Sequence, residues 1–526
     1  MDDTHVGTRL YRSPLLWLPC ELLVHTASYL PPEDLFSLRL TCRRIETFLY
    51  ETFSDEFFSD RRFMVTECLK CLLNISKHPH MSKRLSKLTI GLDRLYSSDA
   101  LPSFTLQNWD ADNPHVRRGI EPHKLEELAV EQNWLISSGR FQLLLGEALD
   151  NLPGVVQLSL RDAEALREPY RPGSNPLVVS YGTAEVHRQT GIDFLSDDRH
   201  LHSQDQFADV VFSIVMLATA RSGKKLDAIT VDVRRQNMGL SSSAFVIPKS
   251  LLGSLGQSLH GLGTLDVAVG FSYIPLGSFA HGSQGFLQWQ PHYLFSFLEY
   301  TPNLTCLRVR SRGNSFLLDG IVNWLARLAD LSNGKQVEAS NAYGDSYSTV
   351  NYKPSTPRFQ ALQELELENM IALTESLSKA LMHLAATLRR LRLRMIGVTV
   401  TTGDEELDNN SRSPNAWASI FRQMSRAANL EELQVGLLGH HTVTCTGNSN
   451  RHQVAFLKSE MGVQSGPSDG LLNTWSHAGT VPDMKKFLLD VAEKTAIICS
   501  RCKQTNSGYW SSEDVLLEYS NSGWVP

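Results

Sequence analysis

The sequence predicts an α/β chain: a short three-helix module at the N-terminus, followed by an irregular solenoid with a parallel inner sheet and outer helices. Three observations carry this prediction. Prolines punctuate three short amphipathic stretches between residues 13 and 60. An apolar triplet at i, i+3 and i+5 then returns nine times, most copies preceded by a helical pattern. The 526 residues are 42% hydrophobic and 20% charged, enough apolar material for an extended core and too much for wholesale disorder. Length alone allows several ordinary domains of about 100 to 200 residues, and the recurrence favours one long array instead.

Charge and cysteine usage narrow the function classes. A formal net charge of −6 supplies no basic field, so no nucleic-acid partner is expected. Residues 1–12 are polar, and the longest apolar stretch, Phe207 to Ala220, is interrupted by Asp209 and falls short of the roughly 18 residues of a membrane span. Eight cysteines spread thinly along the chain suit a reducing compartment. These features predict an intracellular protein, in the cytoplasm or nucleus, with no membrane partner.

The helical module reads in order. Pro19 suits a first helical turn, and Glu21 to Leu30 carries Leu22, Leu23, Thr26, Ala27 and Leu30 at helical spacing. Pro31 and Pro32 stop it. Glu33 and Asp34 open a second helix, where the macrodipole favours acids, with Leu35, Leu38 and Cys42 on one face. A third helix from Arg43 presents Ile45, Phe48, Leu49 and Phe53. Three short helices bury little surface alone, so an apolar face is expected to stay open for a partner.

Leu18-Pro19-x-Glu21-Leu22-Leu23, Tyr29-Leu30-Pro31-Pro32-Glu33-Asp34-Leu35 and Leu38-Arg39-Leu40-Thr41-Cys42-Arg43-Arg44, at these separations, resemble an F-box. The resemblance implies docking on the Skp-type adaptor of a cullin-RING ubiquitin ligase. Carried over by position, the implied adaptor-facing residues are Leu18, Pro19, Leu22, Leu23, Leu30, Leu35, Leu38, Cys42 and Arg43. Ile45 stands where many F-boxes carry Trp. Residues 57–77 read as a further helix, similar to fungal F-box proteins.

The nine triplets are Leu85/Leu88/Ile90, Leu125/Leu128/Val130, Val155/Leu158/Leu160, Leu226/Ile229/Val231, Leu262/Leu265/Val267, Leu304/Leu307/Val309, Leu362/Leu365/Leu367, Leu388/Leu391/Leu393 and Leu430/Leu433/Val435. They match the L-x-x-L-x-L core of a leucine-rich repeat, and the second also offers Asn133 at the asparagine position. Helices are expected at 138–149, 205–221, 290–299, 317–331, 371–386 and 415–428. Strand and helix in alternation make a solenoid unit. A doubly wound alternative lacks the glycine-rich first turn. The predicted organisation is a tail at 1–12, the F-box at 13–60 and the leucine-rich-repeat-like solenoid at 61–440. Polar insertions fall at 162–203, 332–358 and 402–414, and a capping segment with a helix near 483–499 fills 441–526.

Side chains between the apolar positions of a strand point away from the core. In the sixth to ninth copies these are Arg308 and Arg310; Glu364, Glu366 and Glu368; Arg390, Arg392 and Arg394; and Glu432 and Gln434. Copies aligned at their leucines would set base, acid, base and acid side by side. Two readings stand: an ion ladder that fixes register, and a polar docking surface for a target protein.

Catalytic and metal signatures are weak. Cys68-x-x-Cys71 and Cys499-x-x-Cys502 lie far apart, whereas a structural zinc site draws its ligands from one small module, so no metal is expected. Gly466-Pro467-Ser468-Asp469-Gly470 matches the nucleophile elbow in letters but lacks a preceding strand. Ser222-Gly223-Lys224-Lys225 is not a phosphate loop, because Ala218 and Lys225 occupy its first Gly and its Ser/Thr positions. The F-box resemblance implies a non-catalytic substrate receptor of an SCF-type ubiquitin ligase, with no cofactor and an unidentified target. Two rivals remain, a non-degradative scaffold and, more remotely, a serine hydrolase using Ser468.

Overall fold

The computed structural model describes residues 14–95, 121–162, 180–191, 207–233, 239–270, 292–311, 321–326, 359, 361–400, 415–441, 451–457, 471–472 and 474–498. The chain divides into two compact units, 1–197 and 198–526, with the boundary inside the interval read as a polar insertion. No described helix is long and apolar enough to cross a membrane.

In the first unit, helices α1 (Cys20–Ala27), α2 (Pro32–Arg39) and α3 (Arg43–Phe58) form the N-terminal module. A short parallel sheet follows, of β1 (Asp60–Met64), β2 (Lys87–Gly91) and β3 (Gln157–Arg161), with Leu88 opposite both Arg61 and Leu158. The remaining helices are α4 (Leu69–Lys77), α5 (Met81–Arg84), α6 (Pro122–Ser137), α7 (Arg140–Asp150) and α8 (Thr183–Thr190).

Three sequence expectations need correction here. Residues 57–77 are not one helix, because Asp60–Met64 pairs as a strand with β2 and the next helix starts at Leu69. The second triplet is helical. Leu125, Ala129 and Gln132 face the interior at helical spacing while Val130, which a strand would bury, is 60% exposed. The interval 162–203 also contains α8, whose Val186 joins Met64, Leu95, Leu125 and Ala129 in one apolar cluster.

Gln132 is buried for a reason the backbone supplies. Its Nε2 donates to Val65 O at 3.1 Å and Asp93 O at 3.0 Å, and its Oε1 accepts from Leu95 N at 2.9 Å. The groups that leave the sheet are thereby satisfied. Beside them Arg62 donates to Asp93 (3.1 Å) and to Arg161 O (3.1 Å), and Ser180 Oγ donates to Asp93 at 2.5 Å. Gly91 has no room for a side chain, since a Cβ there would lie 2.3 Å from Asp93 Oδ2.

The second unit continues the strand–helix alternation. Its parallel strands are β4 (Ala228–Asp232), β5 (Thr264–Val269), β6 (Cys306–Ser311), β7 (Glu364–Leu373) and β8 (Arg390–Thr399), then β9 (Glu432–Gly436) and β10 (Gly439–His441), both of which pair with β8. The helices are α9 (Phe207–Ser222), α10 (Leu252–Leu259), α11 (His292–Leu298), α12 (321–326), α13 (Thr374–Leu384), α14 (Ala416–Ala427) and α15 (Val481–Lys494). Antiparallel strands end the run: β13 (Thr474–Ala478) pairs with β9, while β11 (Arg451–Leu457) pairs with β10, β12 (Leu471–Leu472) and β14 (Thr495–Ile498). The expected C-terminal helix therefore stops at Lys494 and gives way to a strand. Likewise 371–373 belong to β7 and not to the following helix.

Eight of the nine triplets lie on or lead into strands, and the pairing is leucine to leucine: Leu265, Leu307, Leu365, Leu391 and Leu433 are successive partners. The register is set at the strand entrances. In five successive copies of this unit the carbonyl after the first apolar residue accepts two consecutive amides of the next copy. Asp227 O accepts from Gly263 and Thr264, Gly263 O from Thr305 and Cys306, and Thr305 O from Gln363 and Glu364. Gln363 O then accepts from Arg389 and Arg390, and Arg389 O from Glu431 and Glu432. The first unit repeats this with Ser59 O on Ser86 and Lys87, and Ser86 O on Val156 and Gln157.

A second column runs through β7, β8 and the β9–β10 junction. Asn369, Met395 and Leu437 all have positive φ, at 60°, 55° and 52°, and each follows directly on a residue of one register row, Glu368–Arg394–Gly436. Each is a left-handed kink, with no extra residue in the register, that reverses the inward phase. Leu365 and Leu367 are buried before it and Met370 and Ala372 after it, as are Leu391, Leu393, Ile396 and Val398 in the next strand. Left-handed geometry costs a branched residue about 1–2 kcal/mol. Leu437 is 38% exposed, so it loses little packing when trimmed. Leu437→Gly is expected to raise the unfolding free energy by about 0.5–1 kcal/mol and Leu437→Val to lower it, as read by denaturant titration.

Candidate docking surfaces

The N-terminal module owes its open face to its size. Pro19 and Pro31 precede α1 and α2 in extended conformation, and their carbonyls accept the first helical amides from Leu23 (3.1 Å) and Leu35 (3.0 Å). Leu23, Ala27, Leu35, Ile45, Leu49 and Phe53 close the core. The Arg39 guanidinium lies 3.8 Å above the Phe53 ring, which also meets Phe36 edge-on at 5.1 Å. Trp17, Leu22, Tyr29, Phe36 and Leu40 are left on the outside, Leu22 at 51% exposure.

The nine implied adaptor-facing residues therefore divide. Pro19, Leu22 and Arg43 are exposed, and Leu18, Leu30, Leu38 and Cys42 are half-buried. Leu23 and Leu35 are enclosed in the module's own core, so their burial assigns them to packing. Ile45 is enclosed too, which makes it core filler and not part of the outer face. Trp17, Tyr29 and Leu40 are exposed as well, at the ends of the helices, and are not among the implied adaptor-facing residues.

The second surface is the polar face of β4–β9. Register sets Arg308 opposite Glu366, Glu366 opposite Arg392, and Arg390 between Glu364 and Glu432. The contacts run diagonally as well. Arg308 donates to Glu364 through Nε at 2.8 Å and Nη2 at 2.6 Å, with Glu366 at 3.6 Å. Glu364 also meets Arg390 at 3.2 Å and Arg392 at 3.7 Å. Arg392 reaches Glu432 at 2.9 Å, and Arg394 stands 3.9 Å from Glu368. Gln434 is exposed on the last strand of the row.

Arg310 departs from its expected neighbour Glu368. It turns back to Asp266 at 2.6 Å and Asp232 at 3.1 Å, because its register partner on β5 is Ala268, whose small side chain leaves the path clear. Asp232 and Asp266 extend the ladder over β4 and β5. Asp266 was legible, since it sits between Leu265 and Val267 at an outward position of the fifth triplet.

Burial and charge split the ladder's carboxyls. Burial pushes Asp266 above its ordinary range despite Arg310, and does the same to Glu366 despite Arg308. Burial acts on Glu364 in the same sense, but the Arg308 hydrogen bonds and three nearby guanidiniums outweigh it and hold this carboxyl low. Burial also lifts the Cys306 thiol to about 11.

The cysteine pair at 68 and 71 brackets the start of α4. Cys71 Sγ donates to Tyr181 Oη at 3.3 Å, and Gly182, at φ 109°, makes room for Cys68 Sγ. Among the described residues no group of three or more His, Cys, Asp or Glu is placed to hold a metal. Cys499, Cys502 and Ser468 lie outside the described residues.

Residues 15–53 match the family model of F-box-like domains. That match covers the three helices almost completely and supports reading the chain as an F-box protein. No curated protein matches the chain.

Two outcomes are expected. In a carboxylate NMR titration Glu364 titrates below free glutamate, and Glu366 and Asp266 titrate above their free values. The stabilisation from Glu364 is then full above its unfolded pKa and is lost as pH falls through its lowered folded value. Asp266 and Glu366 act oppositely, favouring the fold as they take up protons between their raised folded values and their ordinary ones. Separately, Glu364→Gln is expected to cost about 2 kcal/mol in denaturant unfolding, because Arg308 loses its charged acceptor.

Proposed function

We propose that the chain is the substrate-recognition subunit of an SCF-type ubiquitin ligase. The F-box-like module docks on a Skp-type adaptor, and the strand–helix repeats form a leucine-rich-repeat-like solenoid whose polar sheet face receives a target protein. Catalysis on this reading is proximity: the target's lysines are held near a conjugating enzyme elsewhere in the complex, and no residue of this chain makes or breaks bonds.

The observation that carries the reading is the F-box-like match at 15–53, on a module that leaves Trp17, Leu22, Tyr29 and Leu40 exposed. Apolar side chains left out by a core this small are suited to a partner helix. The repeat part is supported by the leucine-to-leucine pairing and by the shared carbonyl at each strand entrance.

Leu22→Asp tests it. Leu22 lies in the first turn of α1, where an acid suits the helix dipole, and its side chain is half out in solvent, so the module keeps its fold. Co-purification with a Skp-type adaptor is expected to weaken by about tenfold or more. Unchanged recovery would remove the adaptor reading.

A further inference from the structure

The charges on the polar face of β4–β9 are sorted by depth. Six carboxylates (Asp232, Asp266, Glu364, Glu366, Glu368 and Glu432) meet five guanidiniums (Arg308, Arg310, Arg390, Arg392 and Arg394), so the face is close to neutral by count. Solvent meets something else. The side chains of Glu364, Glu366 and Glu368 are 5%, 22% and 15% exposed, whereas Arg390 and Arg394 on the neighbouring strand are 50% and 66% exposed. The acids form the floor and two arginines stand above it.

These two arginines are also the least committed to the ladder. Arg308, Arg310 and Arg392 each make hydrogen bonds to carboxylates of adjacent strands. Among the described residues, Arg394 has one ion pair, to Glu368 at 3.9 Å, and Arg390 has one, to Glu364 at 3.2 Å, a carboxylate already shared with Arg308 and Arg392. A guanidinium carries five N–H donors in a fixed fork that matches a carboxylate. Next to Arg394 the register sets Gly436, which carries no side chain. Gln434 adds an exposed amide to the same face.

We propose that this face binds an extended acidic segment of a partner protein, with carboxylates four residues apart seated on Arg390 and Arg394. The two arginines are themselves four residues apart on one strand, about 13 Å at a rise of roughly 3.3 Å per residue, and an extended peptide lying along β8 repeats that distance. The inference rests on the receptor reading and names the chemistry of the segment received.

The probe is a fluorescein-labelled peptide of Ser and Thr with two Glu four positions apart, titrated into the full-length chain by fluorescence polarisation. Binding is expected to be salt-sensitive. It should fall roughly tenfold for a peptide with Gln in place of both Glu, and by a similar factor for the chain carrying Arg390→Gln with Arg394→Gln. Both arginines are largely in solvent, so the variant folds, and a circular dichroism spectrum and denaturant midpoint equal to the parent's verify this. Equal binding by variant and parent, or by the Gln and Glu peptides, overturns the inference. Failure of the parent chain to capture the adaptor, with peptide binding intact, overturns the receptor reading and leaves the acidic-segment site standing.

Discussion

From Asp227 to Arg389, the carbonyl that follows the first apolar residue of a copy accepts two consecutive amides from the next copy, and this bond pair fixes where every following residue falls. Once Thr305 O holds Gln363 and Glu364, Leu307 must face Leu365, and Arg308 must face Glu366. A slip of one residue would turn each leucine to the polar face and each charge to the core. Apolar burial and the entrance bonds thus specify the same alignment, which is how copies of very uneven spacing stack in one register.

The ion ladder is a consequence of that alignment. Exposed pairs contribute little alone, about 0–1 kcal/mol each, but Glu364 is buried and shared among three arginines, where loss of one partner leaves others uncompensated. The aligned left-handed residues Asn369, Met395 and Leu437 act on the same strands directly after the charged rows. They let a strand bury its odd-numbered residues before the kink and its even-numbered ones after it. The N-terminal module obeys a different constraint: three helices enclose six core residues, and the apolar remainder lies outside.

Much of this was legible in the chain, because the relevant signals are local. Pro19 marks a helix start and Pro31 with Pro32 the break between the first two helices, and the outward positions between leucines gave the ladder's order before any pairing was known. What stayed hidden depended on neighbours distant in sequence. Leu125/Leu128/Val130 satisfies both a strand triplet and a helix, and only burial of Gln132 against Val65 and Asp93 decides for the helix. Residues 57–77 read as one helix by similarity to fungal F-box proteins, and the pairing of Asp60–Met64 with β2 overrides that reading. Arg310 turns toward Asp232 because Ala268 is small, and a single strand cannot report its neighbour's volume. The left-handed column at Met395 and Leu437 carries no glycine to announce it.

On the proposed reading the adaptor meets residues 15–53 in the first unit and the target meets the polar sheet face of the second. Hydrogen–deuterium exchange of the full-length chain, with and without purified Skp-type adaptor, tests this most directly. Added protection is expected within residues 15–53, with unchanged exchange across β6 to β9. Protection on β6 to β9 with none at 15–53, or no change anywhere at saturating adaptor, would contradict it.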